Sequence, residues 1–188
     1  MNFSLHERPE GVETTGGASI VYDLTNVRAH LGAARVDGPA LVWELVGNEP
    51  LVTQCHKVEG AAALEVDVEL DPAMEWIARC DRVEFPPGGV AYRHVHPGPG
   101  IRRLLHGELT IDSPSGVRTY RSEQAWFEGA DHPVLSTASV TNETAFVRVL
   151  LLPEEWAGRR TIRYLDPADE EKPRLQRATV LLEEPIAL

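Results

Sequence analysis

The chain has 188 residues, of which 43% are hydrophobic and 25% charged, and it carries a formal net charge of −11. That length suits one domain with extensions, and the composition is ordinary for a globular chain. The acidic balance argues against nucleic acid or an anionic membrane surface as the main partner, since both require basic patches.

The N-terminus, MNFSLHERPEGVETTGG, lacks a basic segment followed by an apolar core. No run approaches the length of a membrane span, so the expected location is cytoplasmic. Met1 to Gly17 is polar and glycine-bearing and reads as a loose arm. Ser19 to Leu24 is a short strand candidate, and Thr25 to Ala34 reads as one or two helical turns. Ala40 to Val46 alternates apolar and polar residues as a strand does. Gly47-Asn48 offers a turn, after which Leu51 to Val58 pairs as a hairpin. Ala62 to Leu70 alternates again and is broken by Asp71-Pro72. Cys55 and Cys80 form no spaced metal motif and read as reduced thiols. His56 beside Cys55 reads as part of the hairpin.

From Trp76 onward short strand candidates follow one another. They are Ile77–Phe85, Val90–His96, Ile101–His106, Glu108–Ser113, Val117–Tyr120, Ala125–Phe127, Pro133–Ser139 and Ala145–Leu152. Short strands with frequent turn signals indicate an all-β barrel or sandwich. Past Pro153 the pattern changes to a helical turn, an acidic loop (Asp166 to Pro173) and a last strand at Arg177 to Leu182. The chain therefore divides into an N-terminal arm and strand extension (1–75), a core (76–153) and a tail (154–188) that completes the barrel or a dimer.

The stretch GGVAYRHVHPGPGIRRLLHG, from Gly88 to Gly107, carries the chemistry. Residues two apart on a strand point to one face, so His94 and His96 aim together, with Tyr92 on the same parity. The PGPG turn lets the chain reverse. A third histidine, His132, follows in WFEGADHPV. Three imidazoles from strands of one barrel suit a divalent metal such as iron, zinc, nickel or manganese.

This stretch resembles the first motif of the cupin superfamily, which is a Gly, five residues, His-x-His, three or four residues, Glu, six residues and Gly. Gly88, His94, His96 and Gly107 match it, and Gly100 stands where the family has its glutamate ligand. In the second motif, Pro-x-Gly-x-x-His and then Asn after three residues, Gly129 and His132 match. Phe127 replaces the proline and Ser136 the asparagine. The resemblance covers roughly Trp76 to Pro153. It implies a single cupin-type β-barrel, that is, a double-stranded β-helix or jelly roll, forming a homodimer and holding one divalent metal through His94, His96 and His132.

Without the glutamate such a metal keeps its full charge and an open position, which favours an anionic ligand. Glu128 is the candidate replacement for the absent carboxylate. Arg102 lies two residues after Gly100 on the inward parity, and Arg103 takes its place if a bulge follows the turn. At about 6 Å from the metal an inward arginine is repelled by roughly 5 kcal/mol at a dielectric near 20, which an anionic substrate bridging the two would relieve. Tyr92 is the second candidate for substrate binding. The function expected on this basis is a metal-dependent enzyme acting on a small anionic molecule. Dioxygenase-type cleavage comes first, with isomerase or lyase chemistry beside it. The rival is a barrel that only binds or senses a small molecule.

Overall fold

Segments in which apolar and polar residues alternate place every second side chain on one face, and Gly, Pro and Asn break them at short intervals. Such a chain builds layered sheets. The computed structural model describes residues 1–47 and 61–188. Its strands are β1 (Asn2–Arg8), β2 (Val12–Asp23), β3 (Arg28–Val36), β4 (Ala40–Val46), β5 (Leu64–Asp67), β6 (Trp76–Phe85), β7 (Val90–Val95) and β8 (Gly100–His106). They continue as β9 (Glu108–Ser113), β10 (Gly116–Arg121), β11 (Ala125–Glu128), β12 (Val134–Ala138), β13 (Thr144–Pro153), β14 (Arg163–Tyr164) and β15 (Arg177–Ile186). The helical content among the described residues is two 3₁₀ turns, Glu154–Trp156 and Pro167–Glu171.

The strands form three antiparallel sheets. The outer sheet runs β3-β2-β4-β1-β5, the middle sheet β11-β8-β13-β6-β15, and the far sheet β10-β9-β12-β7-β14. From β6 to β13 the first strand lies beside the eighth, the second beside the seventh, the third beside the sixth and the fourth beside the fifth. That pairing is the two-Greek-key jelly roll found in cupins. The tail extends both of its sheets: β15 pairs with β6 and β14 with β7.

The outer sheet covers the back of the middle sheet. Phe3, Leu5, Ile20, Tyr22, Leu41 and Trp43 pack with Ala78, Cys80, Ile101, Val147, Val149 and Leu151 in one apolar cluster. The Trp43 indole N–H donates to the Ile101 carbonyl at 3.2 Å, satisfying the one polar atom that this large side chain buries. Arg103 also points to this side, its Nε donating to Glu7 at 2.9 Å, so no bulge after the PGPG turn exchanges Arg103 for Arg102.

Two expectations fail in the first 75 residues. The loose arm is in fact β1 and half of β2. Phe3 and Leu5 alternate with polar residues and are fully buried, and β1 lies between β4 and β5 in the interior of its sheet. The predicted helical turns at Thr25 to Ala34 are a tight turn followed by β3. The Asp23 carboxylate accepts the backbone N–H groups of Thr25 and Asn26 at 2.8 and 2.9 Å, which reverses the chain and feeds it back along β2. The hairpin expected at 51–58, with Cys55 and His56, lies outside the described residues.

Candidate functional site

The interior of the roll, between the middle and far sheets, is apolar at one end. Val83, Phe85, Leu104, Ile111, Trp126 and Phe146 fill it. Beyond them lies a cavity of about 330 Å³. Its wall on the middle sheet carries Arg79, Arg102, Arg148 and Glu128, and its wall on the far sheet carries His94, His96 and Ser136. The tail completes the lining with Arg160, Thr161, Ile162, Arg174 and Gln176.

Strand register explains the charged wall. On the middle sheet Arg102 is the cross-strand partner of Trp126 on one side and Arg148 on the other, and Arg148 is in turn the partner of Asp81. All four side chains share the inward face. Asp81, with no exposed surface, accepts from Arg148 Nε and Nη2 through Oδ2, at 3.1 and 2.9 Å, and from Arg79 Nε through Oδ1 at 3.0 Å. Arg79 Nη1 also donates to the Arg159 carbonyl at 2.6 Å and lies 3.2 Å from Glu183 on β15. Arg102, 1% exposed, donates through Nη1 to the Gly100 carbonyl at 2.6 Å. Its Nη2 lies 2.7 Å from Glu128 Oε2, in a buried ion pair. The other Glu128 oxygen accepts from the Trp126 indole at 2.8 Å.

The two inward histidines have fixed tautomers. His94 Nδ1 lies 2.6 Å from the Tyr92 carbonyl, which can only accept, so Nδ1 carries the proton and Nε2 the lone pair. His96 Nε2 lies 3.0 Å from Arg148 Nη1, which can only donate, so its lone pair is taken and its Nδ1–H turns to Thr161 Oγ1 at 3.2 Å. Burial pushes the His94 pKa down to about 4, Arg148 and Arg102 adding to the effect while the Tyr92 carbonyl and Glu128 oppose it. Burial, with Arg148 next, pushes His96 well below its ordinary value. Both rings are neutral at pH 7. Burial also lowers Arg102 to about 10 while Glu128 supports its charge, so it stays a cation.

The structure brings His94, His96 and Arg102 into one cavity and leaves His132 and Tyr92 out of it. His132 sits in the loop before β12, where Asp131 adopts a positive φ of 53° and Pro133 interrupts pairing, so the parity of β12 does not carry back to it. It lines a different cleft, with Ser113, Tyr120 and Phe127. Tyr92 is displaced by a bulge. β12 pairs Val134 with His94 and Ser136 with Ala91, so β7 advances three residues for two of its partner, and Ala91 instead of Tyr92 shares the inward face with His94. The Tyr92 ring instead lies under the Lys172 ammonium, 4.4 Å from its centroid. Gly100 has no room for a side chain. A Cβ there would stand 2.6 Å from the Val149 carbonyl oxygen and 3.0 Å from Arg102 Nη1.

These residues do not fit the three-histidine metal centre. Among the described residues no three His, Cys, Asp or Glu side chains are grouped to hold an ion. The His96 lone pair is engaged by a guanidinium, and the Glu128 carboxylate by Trp126 and Arg102. Arg148 and Asp81 are functional candidates that local pattern did not single out; Arg148 had a signal, as the one charged residue of the apolar run AFVRVLLL, whereas Asp81 is one of four charged residues in IARCDRVEF.

No family model matches the chain, and no curated protein matches it. Solved structures similar to it include cupin proteins. A cupin-like protein of Thermotoga maritima is 16% identical over 47% of this chain and 64% of its own, with a TM-score of 0.41. The polyketide cyclase RemF of Streptomyces resistomycificus is 17% identical over 47% of this chain, with a TM-score of 0.39; the match spans 61% of RemF. The EutQ protein of Clostridium difficile is 18% identical over 43% of this chain and 60% of its own, with a TM-score of 0.36. Among the described residues no helix is long and apolar enough to cross a membrane.

Proposed function

We propose that this jelly roll takes a small organic acid into the cavity between its middle and far sheets without the help of a metal. The observation that carries the reading is the charge of the cavity wall: Arg79, Arg102 and Arg148 are buried there against two buried carboxylates, Asp81 and Glu128. A buried excess of positive charge of this kind favours an anionic oxygen entering the cavity. Phe85, Trp126 and Phe146 on the adjoining wall suit an apolar body, and about 330 Å³ suits a small molecule. The iron-dependent dioxygenase expectation loses its support with the donor set.

Acid–base chemistry of the isomerase or lyase kind is the second reading, favoured by one feature. His94 presents a neutral lone pair at Nε2 in a cavity that also holds cations able to stabilise an enolate oxygen. Calorimetry with benzoate and short oxo acids, in chelator, tests both readings when the same samples are followed by NMR in D₂O. Binding should survive chelation and weaken at least about tenfold in Arg102→Lys, which keeps the charge and loses the fork. Carbon-bound hydrogen of an oxo acid should exchange in the parent and not in His94→Ala. Absence of any binding heat across the panel rejects the first reading, and exchange unchanged in His94→Ala rejects the second.

A further inference from the structure

We infer that Arg148 holds the place that a metal ion takes in a three-histidine barrel, as a built-in cation that excludes divalent ions and meets the ligand's anionic oxygen. Its chemistry toward the ligand rests on the organic-acid reading above; its exclusion of metal does not.

The first support is position. Arg148 lies on the inward face of β13, beside Arg102 on β8, and its guanidinium reaches across the roll to His96 on the far side. The second is the contact itself. A neutral imidazole has one lone pair, and that of His96 already accepts an N–H from Arg148 at 3.0 Å. A metal would have to displace a hydrogen bond and then stand beside a fixed positive charge.

The third support is how firmly the cation is held. Asp81 takes two of its nitrogens, and Arg79, bound to the other Asp81 oxygen, is itself anchored by the Arg159 carbonyl and Glu183. A guanidinium carries five N–H donors, of which the bonds to Asp81 and His96 use three. The remaining two, on the terminal nitrogens of a side chain that lines the cavity, are free to serve an oxygen of the ligand.

The test is a titration with cobalt(II) chloride of protein purified without an affinity tag, read by visible absorption and by paramagnetic broadening of imidazole NMR signals. The parent should show no ligand-field band and no selective broadening of His94 and His96. Arg148→Met removes the cation at similar length and frees the His96 lone pair and Asp81 Oδ2, while Arg79 keeps Oδ1. It should bind cobalt at least about tenfold more tightly than the parent. Arg148→Lys keeps a positive charge and should remain without a band.

The parent titration does not depend on any variant folding, and cobalt bound there through both histidines overturns the inference. So does a folded Arg148→Met with no gain over the parent, or a lysine variant that matches the methionine one. Benzoate binding that is absent from the parent fails the organic-acid reading instead, and leaves the cobalt result to be judged alone.

Discussion

The two faces of the middle sheet are built from alternate residues of the same strands and are opposite in character. On β13 Val147, Val149 and Leu151 face the outer sheet in a close-packed apolar cluster, while Phe146 and Arg148 face the cavity. On β6 Cys80 faces one way and Asp81 the other. Both faces are buried, so burial alone does not decide which residues a strand carries. The apolar face gains stability from area removed from water and from dispersion contacts. The charged face bears a desolvation cost that its ion pairs do no more than offset, which agrees with the organic-acid role proposed above.

The contrast can be broken from the charged side first. Asp81→Ala leaves Arg79 and Arg148 buried with their shared counter-charge gone. It should destabilise the protein by about 3–5 kcal/mol in urea unfolding, the largest effect expected. A loss under 1 kcal/mol would mean that water reaches both guanidinium groups.

A second, smaller effect comes from pH. The folded pKa of His94, about 4, lies below its ordinary 6.5, so between those values the unfolded chain binds a proton that the folded chain does not. The stability contributed by the neutral ring is complete above pH 6.5 and is lost as pH falls toward 4, by about 3 kcal/mol, with His96 acting in the same direction. Urea midpoints across this range, with His94→Gln as the reference, measure it. A midpoint difference that stays constant from pH 7 to 4 counts against a buried neutral His94.

The smallest effect belongs to the apolar face. Cys80→Ala removes one sulfur from a packed cluster and should cost about 1 kcal/mol, with cavity binding unchanged. Burial also raises the thiol pKa far above neutrality, so native Cys80 should resist thiol reagents until the protein unfolds.

Much of the roll is legible in the chain, because alternation and turn residues are local signals. The eight core strands lie within one or two residues of their expected positions. The inward aim of Arg102 also follows from parity, since β8 runs regularly out of the PGPG turn. Parity fails where the ladder slips. One extra residue in β7 moves Tyr92 off the inward face, and a turn with Pro133 takes His132 away. Arg148 and Asp81 meet only through the register between β13 and β6, a long-range fact that no local pattern carries. In the N-terminal sheet β4 and the second half of β2 are legible, but β1 is not, because its apolar residues are few. Phe3 and Leu5 become core only once the back of another sheet is there to receive them.

The tail has a consequence for how such a site can diversify. Residues after Pro153 supply Arg160, Thr161, Arg174 and Gln176 to the cavity lining, while the rest of the wall belongs to the roll. The tail is not independent of the wall behind it: Thr161 accepts from His96, and the Arg159 carbonyl and Glu183 hold Arg79, so a substitution at any of these three positions reaches the charged wall, whereas one at Arg160, Arg174 or Gln176 alters the lining alone.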